Sequence, residues 1–155
     1  MTLSVLVTVL FLGYNGYAQP NIPKENIPSN LSAEVKAEVE GLYSPEALKR
    51  AEAANKLGNM GEKAAPAIPL LIGMLGDSAG IEFKADPESK IAETTSPGIE
   101  AAVALGKIGD PALEPLIGAL KDKNPHVRVL AAVSGLVGDL LRPDAEHHFL
   151  AQPGV

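Results

Sequence analysis

Leu31, Val35, Val39 and Leu42 stand at i, i+4, i+8 and i+11, so four apolar side chains line one face of a helix. Segments with the same 3.6-residue period follow along the chain, separated by proline and glycine. They predict helices over 30–42, 45–58, 66–76, 97–108, 111–121 and 125–138. Gly41 weakens the end of the first. A further segment, Pro143 to Leu150, has the length of a helix without the apolar core of the others. The fold class this predicts is all-α, a short α-solenoid of antiparallel helix pairs with no sheet.

The starts of these helices share a device. Ser44-Pro45, Ser96-Pro97, Asp110-Pro111 and Asn124-Pro125 each set a capping side chain before a proline. The cap oxygen accepts from a backbone N–H that has no partner within the helix, and proline at the first helical position loses nothing. Pro69 and Pro115 fall about one turn inside their helices, which softens those two boundaries. Gly58 with Gly61, and Gly106 with Gly109, close the first helix of a pair, where glycine supplies the left-handed cap. A phosphate-cradling loop would need a strand before those glycines, and no strand pattern precedes them.

The segments are also copies of one another. Ala101-Ala102-Val103-Ala104-Leu105-Gly106-Lys107-Ile108-Gly109-Asp110 returns 29 residues later as Leu130-Ala131-Ala132-Val133-Ser134-Gly135-Leu136-Val137-Gly138-Asp139. Ala53 to Gly61 is a fainter copy of the same unit. A second unit, Ala67-Ile68-Pro69-Leu70-Leu71-Ile72-Gly73-Met74-Leu75-Gly76-Asp77, matches Ala112-Leu113-Glu114-Pro115-Leu116-Ile117-Gly118-Ala119-Leu120-Lys121-Asp122. Self-similarity of this kind means stacked supersecondary units, whose product is an extended surface.

With Val103 to Asp122 laid out, the chain resembles the HEAT-repeat family, in the short bacterial form known as the phycobilisome-lyase HEAT-like repeat. Val127-Arg128 followed by Ala131-Ala132 is similar to that family's start of a first helix. The likeness runs over about 44–139. It implies a non-catalytic scaffold for protein–protein interaction. The namesake lyases imply the alternative, a lyase-like or accessory subunit acting on a tetrapyrrole or other cofactor. The resemblance also implies a structural task for Asp122 and Arg128, an aspartate ending one repeat meeting an arginine of the next across the stack. A partner-binding role for Arg128 is the competing reading. The iron-binding hydroxylases of HEAT type carry repeated His-Glu pairs; here Glu146-His147 has the reverse order and occurs once.

Repeat proteins put their individuality into insertions. Roughly 16 extra residues sit between Ser78 and about Thr95, against the repeat spacing that Asp122 to Leu130 sets. An insertion at about 78–95 is read as a functional loop. Within it Ile81 and Phe83 alternate with Glu82 and Lys84. Phe83 is the one aromatic of the chain after Ala18 that lies off the repeats, and aromatics and arginines lead binding hot spots. Ile81 and Phe83 either pin the insertion on the solenoid surface or offer an apolar contact to a partner, and the candidate partner-binding residues are Ile81, Phe83, Lys84 and Arg128.

Bulk chemistry narrows the classes. The chain of 155 residues has a formal charge of −6 and no cysteine. No basic footprint for nucleic acid is present. Disulfides, thiolate zinc sites and cysteine nucleophiles are excluded. Leu3 to Leu12 is apolar but shorter than the roughly 20 residues of a membrane span. Gly16 and Ala18 follow as small residues at a cleavage site. The expectation is a signal peptide over 1–18, a proline-rich linker over 19–29 and a repeat domain over 30–155. The mature chain would be exported, periplasmic or extracellular, with no stable membrane span. Adjacent His147 and His148 point about 100° apart on a helix, so no metal site is expected from them. No cofactor and no catalytic constellation is read. The expected partner is a protein.

Overall fold

The computed structural model describes residues 23–83 and 93–141. Six α-helices lie among them: α1 (Ala33–Gly41), α2 (Ala47–Asn59), α3 (Ile68–Met74), α4 (Pro97–Ile108), α5 (Leu113–Ala119) and α6 (Pro125–Leu141). Helices α2, α4 and α6 pack side by side as one layer. The short α3 lies on α4, α5 lies on α6, and α3 and α5 touch, forming the second layer. Helix α1 packs on α2 and touches the segment that leads into α3. This is the two-layer stack that the repeat predicts.

The six helices predicted between residues 30 and 138 are present, with shifts at the ends that have local causes. Ser96 behaves as read: its hydroxyl accepts from Ile99 N at 3.3 Å, and Pro97 is the first residue of α4. Asn124 does likewise, its Oδ1 accepting from His126 N at 2.9 Å with Pro125 opening α6. Ser44 instead bonds Glu46 N at 3.2 Å, and α2 starts only at Ala47. Asp110-Pro111 opens a 3₁₀ turn, Asp110–Ala112, ahead of α5. A longer 3₁₀ segment containing Pro66, Gly61–Ala67, precedes α3. Pro69 and Pro115 thereby fall in the first turn of α3 and α5, where a backbone N–H has no acceptor within the helix.

The glycine pairs divide their work, which corrects the reading of both members as caps. Gly61 and Gly109 have φ of 58° and 82°, so they are the left-handed turns. Gly58 and Gly106 are helical and serve close approach. A Cβ on Gly58 would stand 2.6 Å from Ala104 Cα, and one on Gly106 would stand 2.9 Å from Val137 Cγ1. Adjacent helices of the first layer therefore touch almost backbone to backbone.

The core lies between the layers. Leu57, Leu70, Leu71, Met74, Leu75 and Leu105 are fully buried there, among small residues such as Ala54, Ala64, Ala101 and Ala104. Each large side chain contributes on the order of 1.5–3 kcal/mol by leaving water.

Two expectations need correction. The inserted segment is not purely a loop: Ile81–Phe83 (β1) and Glu93–Thr95 (β2) pair antiparallel, Ile81 opposite Thr95 and Phe83 opposite Glu93. The alternation of Ile81 and Phe83 signalled β1, whereas Glu93-Thr94-Thr95 carries no apolar period and gave no signal. Within the linker, Lys24–Asn26 closes a 3₁₀ turn and Ile27 rests partly buried on the core, as does Leu31 just after it. The segments read as the signal peptide, 1–18, and as a last helix, Pro143 to Leu150, lie outside the described residues, as do His147 and His148.

Candidate functional site

One edge of the stack gathers the features that are not hydrophobic packing. It holds the end of α3, the starts of α2, α4 and α6, and the root of the β-ribbon. Its centre is Arg50, whose side chain is buried together with that of Asp77. Arg50 Nε donates to Asp77 Oδ2 at 2.7 Å and Nη2 to Oδ1 at 3.2 Å, a two-pronged fit of guanidinium to carboxylate. Nη1 donates to the carbonyls of Ser44 and Pro45 at 2.9 and 3.1 Å. One arginine thus ties the chain before α2 to the chain after α3.

Asp77 carries the connection further. Its Oδ1 also accepts from Ala79 N at 3.2 Å, and its carbonyl accepts from Gly98 N at 2.9 Å. A Cβ on Gly98 would lie 2.8 Å from that carbonyl, so glycine is what lets α4 begin here. Thr95 Oγ1 donates to Glu100 Oε1 at 2.9 Å, and Asn55 Nδ2 donates to Glu100 Oε2 at 3.1 Å, which ties the end of β2 to α4 and α2. A Cβ on Gly76 would sit 3.6 Å from Asn124 Nδ2 and 3.7 Å from Val127 Cγ2, so the start of α6 stands beside the end of α3.

The predicted contact residues fall on this edge or on the ribbon that leaves it. Ile81 is half-buried in β1, and Phe83 is 42% exposed two residues on. Lys84 lies outside the described residues. Arg128 is exposed in the first turn of α6. It does not reach the Asp122 carboxylate, as the cross-stack reading required. Its Nη1 donates instead to the main-chain carbonyls of Asp122 and Lys123 at 2.9 and 3.1 Å, while the Asp122 carboxylate accepts from Asn124 N at 2.7 Å.

The geometry shows what the sequence reading missed. Arg128 is the counterpart of Arg50: both hold the carbonyls six and five residues before them. The aspartate that pairs with such an arginine ends the second helix of the same repeat, as Asp77 does for Arg50. A signal for this was present, since Asp77 and Asp122 occupy the same place in their copies.

The model of the PBS lyase HEAT-like repeat family matches residues 99–122. The chain is a HEAT-like repeat protein. The matched residues are almost all of α4, the Gly109 turn and α5, one complete helix pair. No curated protein matches the chain. In this HEAT-like stack, no helix of the described residues is long and apolar enough to cross a membrane. No cluster of metal-ligating side chains occurs among the described residues. A cleft lined by Leu105, Gly106, Leu113, Leu116, Ser134 and Gly135 measures ≈ 10 Å³, room for about one water.

Proposed function

We propose that this HEAT-like repeat protein is a non-catalytic scaffold that holds a protein partner at the edge bearing the β-ribbon and the start of α6, and that it acts outside the cytoplasm after cleavage behind Ala18. The observation that carries the reading is the ribbon itself. It is an insertion into a repeat array, it presents Phe83 to solvent, and its root is fastened to the stack by hydrogen bonds through Ala79, Thr95 and Gly98. An aromatic side chain on a braced ribbon offers contact area at small entropic cost. The tetrapyrrole alternative rests on the family resemblance, and the ≈ 10 Å³ cleft gives it no support, since it is far smaller than such a ligand.

Two expected results follow. Replacing 80–94 with a short Gly-Ser turn should leave the melting temperature of the stack nearly unchanged, because loop length alters closure entropy by only about 0.6 kcal/mol per doubling. The same replacement should abolish capture of the partner from periplasm or culture medium, and Phe83→Ala should weaken it. Unchanged capture would move the binding surface onto the helices. The second result concerns export: N-terminal sequencing of the abundant soluble form from the host should begin at Gln19. Finding Met1 or Thr2 there would refute the exported form.

A further inference from the structure

The first repeat is a template for reading the exposed groups of α5 and α6. In the first, Ile68 and Leu75 are 4% and 0% exposed; their counterparts on α5, Leu113 and Leu120, are 40% and 44% exposed. Ile117, one turn after Leu113, is 50% exposed. Leu113, Ile117 and Leu120 stand at i, i+4 and i+7, so they form one stripe along α5. The positions that are buried at the two ends of α3 are thus exposed at those of α5.

Arg128 repeats the lesson in polar form. Like Arg50, it spends Nη1 on two main-chain carbonyls. The other edge of Arg50 receives Asp77 through Nε and Nη2. The same edge of Arg128 has no hydrogen-bond partner among the described residues.

We infer that the α5–α6 end of the stack is a docking site for an amphipathic helix of a protein partner, laid along Leu113, Ile117 and Leu120 and ending in a carboxylate that takes the open edge of Arg128 as Asp77 takes that of Arg50. The inference deepens the scaffold reading above and rests on it, since it names a second contact surface and the chemistry it selects. The selection is sharp for a physical reason. A planar guanidinium already held on one edge presents two parallel donors on the other, which fit a carboxylate and leave an amide half-satisfied. The apolar stripe supplies the area and the arginine supplies the register.

The test uses the full chain and a labelled peptide copying Glu62–Ser78, the segment that carries Asp77 in the first repeat. Titration followed by amide NMR and fluorescence anisotropy should show saturable binding, with shifts at Leu113, Ile117, Leu120 and the Arg128 side chain. The peptide with Asp77→Asn should bind about tenfold more weakly, the factor that corresponds to one charge-assisted hydrogen bond. Against the Arg128→Gln chain the two peptides should bind equally weakly, and Ile117→Glu should remove binding of both. Both substitutions are at exposed positions, so circular dichroism should be unchanged. Equal affinity of the two peptides for the native chain, or undiminished binding to Arg128→Gln, would overturn the inference. So would failure to bind together with protection of Leu113, Ile117 and Leu120 in the free chain, because a second copy or the chain's own residues 142–155 would then cover the stripe. Any of these failures leaves ribbon-dependent capture intact, so failure of this inference is distinguishable from failure of the scaffold reading.

Discussion

Arg50→Met should unfold this protein at a temperature roughly 10–20 °C lower than the native chain. The substitution strands the Asp77 carboxylate in the interior and frees the carbonyls of Ser44 and Pro45. Breaking one side of a buried pair costs about 3–5 kcal/mol, because a buried charge is left without compensation. For a structured region of this size each kcal/mol moves the midpoint by about 4 °C. Asp77→Asn should cost less, since an amide oxygen can still accept from Arg50 or from Ala79 N. Replacing both residues with apolar ones should recover much of the loss. Thermal melts of the single variants and the double variant check this. A double variant no better than Arg50→Met would mean that the arginine acts mainly through the two carbonyls.

Gly58→Val is expected to be the most damaging change of a glycine. Helix propensity alone would favour almost any side chain over glycine by up to about 1 kcal/mol. At this position sterics decide, because the new Cβ would lie 2.6 Å from Ala104 Cα and 2.9 Å from Ala104 Cβ. The obstacle is backbone, which cannot swing aside, so α2 and α4 must separate. Overpacking of this sort costs about 1–3 kcal/mol or more. It also opens the sheet of helices in which every repeat rests on the next. Gly118→Ala is the control: it is helical, its Cβ would meet nothing within 4 Å, and it should stabilise the chain slightly. Paired chemical-denaturation curves separate the two effects. A Gly58→Val chain as stable as the native one would show that the helices slide apart at no cost.

Most of the architecture was legible because it depends on near neighbours in sequence. The spacing of Val35 and Val39 and the caps at Ser96 and Asn124 are statements about a turn or two of chain, and the structure has each of them, while Leu31 stands just before the Ser32 cap that opens α1. The reading that failed at Arg128 concerned distance along the chain. Asp122 lies six residues from Arg128, and nothing in that spacing tells a carboxylate contact from a main-chain one. Only the fold shows that Arg128 Nη1 goes to the backbone carbonyls of Asp122 and Lys123. Arg50 and Asp77 were missed for a related reason. They are 27 residues apart, and each alone is an ordinary charged residue near a helix end. The ribbon was half legible: β1 shows a period, while β2 is polar and takes its form from pairing with β1.

The hydrogen bond from Gly98 N to the Asp77 carbonyl, 2.9 Å long, brings the chain back to the point at which it left the stack. Everything between those two residues is a closed excursion, entered and left through one peptide's width. The repeat array therefore tolerates cargo at this point, because the helices on either side are already joined to each other without it. A ribbon of another length, a binding loop taken from elsewhere or a small folded domain whose ends lie close together could be carried here with the solenoid intact. At Asp77 and Gly98 the stack offers a handle for an exchangeable head.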